Sequence, residues 1–149
     1  MSNQPEPAPG SAHLKGLPWI IGLLLFAFSA NLAYWIVYFT SGDVQVRQDE
    51  VYIAFENSFP AADAWMAVCA LLGAIGLLRH RPWGLLFGLL AASSAIFLGL
   101  MDVTFNLNQG IYATGGAEAA IEVFINLFCL GVGPLVIIYL WKNRSSLLA

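Results

Sequence analysis

Four long stretches of the chain are almost purely apolar, and short polar segments separate them. They cover about residues 17–39, 60–78, 83–105 and 119–141. Each is close to the ~20 apolar residues with which an α-helix crosses a bilayer. Only Arg79 to Pro82 separate the second stretch from the third, so these two should form an antiparallel hairpin. The pattern predicts an all-α, four-helix transmembrane bundle, and we number its stretches span 1 to span 4.

The composition and the terminal segments agree with this fold. The chain is 59% hydrophobic and 10% charged, whereas a soluble domain is roughly half apolar and a quarter charged. Residues 1–16 are rich in proline, serine and glycine and predict a disordered cytoplasmic tail. Residues 17–144 then make a single transmembrane domain, and residues 145–149 a second cytoplasmic tail.

The connection between spans 1 and 2 carries two local signals. Asp49 is placed to cap a short helix that contains Val51 and Phe55 and that lies in the interface or runs on into span 2. Val44 and Val46 alternate with polar neighbours, which is a weak indication of a strand or hairpin.

The basic residues predict the orientation of the bundle. With the N-terminus inside, five of the six Lys and Arg residues lie on the cytoplasmic side, and Arg47 alone lies outside. Short loops rich in Lys and Arg stay inside, so we expect both termini inside and a multi-pass protein of the inner cell membrane. Of the nine acids, only Glu6 lies on the inner side. Acids contribute little to orientation, so their position calls for another explanation.

Polar residues within the spans fall on the same helix faces as the small ones. Asp63 shares a face with Ala67 and Ala70, and Asp102 shares one with Gly99. Small residues mark faces where membrane helices approach closely, so these carboxylates should point into the bundle rather than at lipid. The faces meet in the outer half and predict a pocket lined by Asp63, Asp102, Glu122, Asn31, Asn106, Asn126 and Tyr34, with Glu56 at its mouth.

Two tryptophans and the amides of this pocket have alternative interpretations. Trp65 lies two residues after Asp63, close enough to cover a bound cation, but it also fits an anchor at the membrane interface. Trp35, near the end of span 1, is interpreted as such an anchor. The Asn and Tyr side chains would serve equally as hydrogen bonds that hold helices together.

The predicted pocket has no basic partner for its acids. No Lys or Arg lies in the outer half of any span, and three ionised carboxylates at close range repel one another, so a proton or a cation should be held there. His13 and His80 both lie on the inner side. Their position counts against zinc, copper or haem and favours a hard cation with oxygen ligands.

These residues leave three functions open. The first is a binding or transport-associated protein whose pocket takes a cation or a small polar or cationic ligand. The second is a membrane enzyme that acts on a lipid-like substrate with a carboxylate as acid or base. The third is a non-catalytic subunit or homo-oligomer that packs through faces such as Gly84-x-x-x-Gly88. The chain has no nucleotide-binding motif, no C-x-x-C pair and no basic patch for nucleic acid, and it identifies no cofactor.

Two motifs carry a resemblance to known proteins. They are Glu56-Asn57-x-Phe59-Pro60-x-x-Asp63-x-Trp65 and Gly99-Leu100-Met101-Asp102-Val103-x-Phe105-Asn106-Leu107. Together they resemble small bacterial four-helix inner-membrane proteins. The resemblance covers spans 2 and 3 with their flanks, and it implies a bacterial inner-membrane setting but no activity.

Overall fold

The computed structural model of the chain describes residues 14–42, 44–45 and 47–148, and these residues form helices and no strand. The helices are α1 (Leu17–Thr40), α2 (Glu50–Glu56), α3 (Pro60–Leu78), α4 (Pro82–Asn108), α5 (Gly116–Lys142) and α6 (Arg144–Leu148), with a 3₁₀ turn at Ile111–Ala113. Four of them, α1, α3, α4 and α5, are long and apolar enough to cross a membrane. The predicted all-α, four-helix transmembrane bundle is confirmed, and the chain fits an integral, multi-pass membrane protein whose helices contact lipid.

The helices follow the predicted spans but extend past two of them. Helix α4, which corresponds to span 3, continues from the predicted end at 105 to Asn108. Helix α5, which corresponds to span 4, begins at Gly116 rather than at 119. The apolar run marks only where a span leaves the hydrocarbon. The helix itself continues for as long as the following side chains pack or form hydrogen bonds with neighbouring helices. Asn106 is only 1% exposed because it faces the neighbouring helix.

The segments outside the spans bear out some local signals and not others. Asp49 caps α2, because its Oδ1 accepts a hydrogen bond from the Tyr52 backbone N–H at 3.1 Å. The described residues between α1 and α2 form no strand, and Val46 lies outside the described residues. The predicted N-terminal tail also lies outside them as far as residue 13, and most of the predicted C-terminal tail belongs to the short helix α6.

Glycines let α3 and α4 pack backbone against backbone. A Cβ atom on Gly76 would lie 2.6 Å from the backbone nitrogen of Gly84, and one on Gly73 would lie 2.8 Å from that of Gly88. Real Cβ atoms do not come this close to other heavy atoms. The Gly84-x-x-x-Gly88 face therefore packs inside this chain, as small residues do between membrane helices.

The link between these two helices is fixed by its own hydrogen bonds. The backbone N–H of Arg81 donates to the Gly76 carbonyl at 2.8 Å, and that of His80 donates to the Leu77 carbonyl at 3.2 Å. This pair of bonds is a Schellman motif, in which the residue after the C-cap takes a left-handed conformation. His80 does so with φ 50°, and the predicted four-residue link thus turns the chain directly into α4.

The two ends of the bundle differ in packing. We call the end that carries Lys15, Arg79, Arg81, Lys142 and Arg144 the basic end, and the opposite one the acidic end. Each long helix packs on the next, α1 on α3, α3 on α4 and α4 on α5. At the basic end α1 also meets α5, where Tyr139 Oη donates to the Lys15 carbonyl at 3.1 Å and Leu24 and Leu140 share one apolar core. Toward the acidic end the space between α1 and α5 is a cavity.

Candidate functional site

A cavity of about 460 Å³ lies between the four long helices in the acidic half of the bundle. Six of the nine residues predicted for a pocket line it, and all three predicted intramembrane carboxylates are among them. The polar lining residues are Asn31, Tyr34, Trp35, Glu56, Asp63, Asp102, Glu122 and Cys129. The remaining lining residues are apolar. Cavities that hold small molecules have about this volume and this mixture of a largely apolar wall with a few polar groups.

Two aromatic side chains of α1 hold the first pair of acids. Trp35 Nε1 donates to Asp63 Oδ2 at 2.9 Å, and Tyr34 Oη donates to Glu56 Oε2 at 3.1 Å. Glu56 is the last residue of α2, and Asp63 lies in the first turn of α3, which begins at Pro60. Glu56 was expected at the mouth of a pocket, but its side chain is only 6% exposed. Its burial follows from the α2–α3 corner, which turns the last residue of α2 inward.

Two amides hold the second pair of acids, which lies on α4 and α5. Both helices place an asparagine one turn after an acid, and so Asp102 and Asn106 face Glu122 and Asn126. Asn106 Nδ2 donates to Glu122 Oε2 at 3.2 Å. Asp102 lies within hydrogen-bonding reach of both Glu122 and Asn126. Each acid therefore contacts a partner on the neighbouring helix.

A loop tyrosine closes this second group from the acidic end. Tyr112, in the 3₁₀ turn, accepts a hydrogen bond from Asn126 Nδ2 at 2.9 Å and also lies within reach of Asn106. Burial raises the pKa of Tyr112, and the carboxylates of Asp102 and Glu122 raise that pKa further, while the hydrogen bond from Asn106 lowers it. The phenol therefore stays neutral at physiological pH. The sequence offered no periodic signal for Tyr112, because it belongs to a glycine-rich loop.

The four carboxylates of the cavity have neutral donors but no basic partner. Among the described residues, no Lys, Arg or His lines the cavity. The salt bridge that the described residues form joins Arg47 Nε to Asp49 Oδ2 at 2.8 Å in the loop before α2, outside the cavity. A hydrogen bond from an amide, indole or phenol stabilises a carboxylate but does not cancel its charge. Four ionised carboxylates in one cavity would repel one another.

Three predicted residues lie off the cavity wall. Asn106 and Asn126 are buried behind the acids that they contact, and neither lines the cavity. Trp65 is 52% exposed and points away from the cavity, whereas Trp35 lines it. Sequence periodicity places Tyr34 on the inner face and Trp35 beside it. The longer indole reaches Asp63 from that neighbouring position, which is why an interpretation by helix face alone missed it.

The open side of the cavity is apolar and lies between α1 and α5. Its exposed lining residues are Phe26, Ala30, Ala33, Ile121 and Phe124. Toward the basic end the rings of Phe26 and Phe128 close the gap, with their centroids 5.3 Å apart. A molecule in the cavity would therefore contact lipid-facing side chains on one side and the carboxylates on the other.

The described residues contain no group of three or more His, Cys, Asp or Glu side chains placed to hold one metal ion. Cys129 lines the cavity singly, and Cys69 is buried in the apolar core.

No protein-family model, curated protein or solved structure matches this chain. The residues of the cavity themselves offer four carboxylates, neutral hydrogen-bond donors to them and an apolar open side.

Proposed function

We propose that this protein binds an amphiphilic organic cation, a lipid-like amine, in the cavity between its four long helices. The observation that carries the proposal is the set of four carboxylates that line the cavity without a Lys, Arg or His among the described lining residues. We place the protein in the inner cell membrane, with its acidic end outward, as the basic loops predict.

The polar wall suits an ammonium group. A primary ammonium offers three N–H donors and a positive charge, and Glu56 and Asp63 each offer a carboxylate beside an aromatic ring of α1. The rings of Tyr34 and Trp35 stand nearly perpendicular with centroids 5.3 Å apart. Aromatic faces attract cations, more strongly where water is excluded, so these side chains support binding of the same charge that the acids require.

The open side suits an apolar tail. It is lined by exposed alanine, phenylalanine and isoleucine side chains where α1 and α5 would contact lipid. A ligand dissolved in the bilayer would enter sideways, keep its tail among these side chains and turn its charged group toward the acids. A small hydrophilic cation would leave most of this wall without an apolar partner.

The other two functions differ in their support. An enzyme with carboxylate acid–base chemistry is favoured by one feature, the contact between Asp102 and Glu122, since paired acids can share a proton and take different roles. A subunit that packs through its glycine faces is less favoured, because Gly73, Gly76, Gly84 and Gly88 pack against each other within the chain.

Dodecylamine should raise the thermal stability of the protein in nanodiscs of zwitterionic lipid. At a hundredfold excess over the dissociation constant the gain is about 2.7 kcal/mol, or roughly 5–10 °C for a domain of this size. Dodecanol, which lacks the charge, and propylamine, which lacks the tail, should give little. Asp63→Asn and Glu56→Gln should lose the response, and Glu50→Gln, an exposed acid of the same segment, should keep it. A response to dodecanol equal to that of dodecylamine would contradict the proposal.

Reporter fusions should test the orientation. A fusion after residue 45 or 110 should report outside the cell, and one after residue 80 or 148 should report inside, because five of the six Lys and Arg residues lie at the basic end. Fusions that report both sides equally at every position would show two orientations and overturn this part of the proposal.

A further inference from the structure

We infer that a hard monovalent cation, sodium, binds between Asp102, Asn106, Glu122 and Asn126, a group that we call the amide–carboxylate cluster. The observation behind this site is separate from the open cavity. Asn106 Oδ1 and Asn126 Oδ1 are buried and accept no hydrogen bond, and their residues are 1% and 4% exposed. The inference holds whether or not the cavity binds an amine.

The hydrogen bonds of the two amides fix where these oxygen atoms lie. Asn106 Nδ2 donates to Glu122 and reaches Tyr112, while Asn126 Nδ2 donates to Tyr112 and reaches Asp102. Each NH₂ group thus makes one hydrogen bond and has a second acceptor nearby. Turning the Asn106 amide over would set its carbonyl oxygen against the Glu122 carboxylate, which favours the orientation with Nδ2 toward Glu122. In the present orientations both Oδ1 atoms are buried and unpaired.

Buried acceptors without partners are rare and destabilising, and each calls for a specific explanation. Ionised Asp102 and Glu122 cannot supply the missing partner, because they are acceptors as well, and the Tyr112 hydroxyl has one hydrogen atom and so could serve at most one of the two amide oxygens. The missing species must therefore bring hydrogen atoms or positive charge to several oxygen atoms at once.

A cation fits this requirement better than a proton or a water molecule. One proton shared by the two acids would satisfy a carboxylate oxygen but leave both amide oxygens unpaired. A water molecule would donate two hydrogen bonds but leave the charge of the two acids in place. A cation would pair with the carboxylates and with the amide oxygens together, and hard cations prefer such oxygen ligands.

The carboxyl end of α4 also favours a positive charge near Asn106. Asn106 lies in the last turn of α4, which ends at Asn108, and the carbonyl end of a helix attracts cations. Only two of the four ligating groups are acids, and the described residues contain no trio of acids for a metal ion. This moderate negative charge suits sodium better than calcium, whose sites take six to eight oxygen ligands.

The test measures thermal unfolding of the full chain in nanodiscs without any amine. Sodium chloride is compared with N-methyl-D-glucamine, potassium and calcium chlorides at equal ionic strength. We expect a saturable rise in melting temperature with sodium. Asn106→Leu and Asn126→Leu should raise the half-saturating sodium concentration by roughly tenfold or more, while Glu50→Gln, at an exposed acid of α2, should keep the response.

Three results would overturn the inference. Equal melting in sodium and N-methyl-D-glucamine would mean that protons or water close the cluster. A response to calcium but not to sodium would show that the cation is divalent. A sodium response that survives in both leucine variants would place the ion elsewhere. If the leucine variants do not fold, Asn126→Ser, which removes the amide oxygen with a smaller change in shape, serves in their place.

Discussion

Replacing Gly84 by leucine should prevent α3 and α4 from forming their hairpin, and with it the bundle. A Cβ atom on Gly84 would lie 2.5 Å from the carbonyl carbon of Gly76 and 2.9 Å from its Cα. Overfilling a packed interior usually costs about 1–3 kcal/mol because side chains can shift. Here the obstructing atoms are backbone, which cannot move aside without separating the two helices, so we expect a larger loss and no properly assembled protein.

The matched control is the same substitution on a lipid-facing glycine. Gly22 of α1 is exposed, and a Cβ atom added to it would have no heavy atom within 4 Å. Gly22→Leu should therefore express and melt like the wild type. The measurements are the yield of monodisperse protein after purification and its melting temperature in nanodiscs. If Gly84→Leu resembles Gly22→Leu in both, the close approach of α3 and α4 is not what holds the bundle together.

The bundle could be predicted from the sequence because each membrane helix is determined by the apolar residues of its own segment. About twenty apolar residues in succession have few solutions other than a membrane helix, and the link from Arg79 to Pro82 is too short for any arrangement but a hairpin. The faces of Asp63, Asp102 and Glu122 also follow from helical period alone. In the structure all three side chains line one cavity.

The detailed contacts of the site could not be predicted, because they depend on how elements meet. The burial of Glu56 follows from the corner between α2 and α3, and the bond from Trp35 to Asp63 depends on the distance between α1 and α3. Tyr112 enters from a loop whose path has no period. The unpaired oxygens of Asn106 and Asn126 depend on which groups the two amides meet between α4, α5 and the loop that joins them.

Asp102 connects the two proposed sites, since it lines the cavity and belongs to the amide–carboxylate cluster. It stands beside Glu122 and near the carbonyl end of α4, where the helix dipole disfavours negative charge. Removing a charge that lacks a partner while keeping the shape of the side chain should relieve this repulsion. The effect should depend on whether a cation is present to supply the partner.

Asp102→Asn should therefore be more stable than the wild type in sodium-free buffer, by about 1–4 kcal/mol, and should lose this advantage in sodium. The comparison is the melting temperature of both proteins in N-methyl-D-glucamine and in sodium chloride. Asp49→Asn is the control, because Asp49 is an exposed N-cap and asparagine caps a helix as well as aspartate does. It should change little in either salt.

The same variant separates a binding site from a scaffold. If Asp102 only accepts hydrogen bonds from its neighbours, Asp102→Asn should differ from the wild type by the same amount in every salt and should respond to dodecylamine as the wild type does. If the carboxylate is kept for a ligand, the variant should be the more stable protein without ligand and should lose its response to sodium, to the amine, or to both. Equal behaviour of the two proteins under all of these conditions would leave Asp102 with a packing role alone.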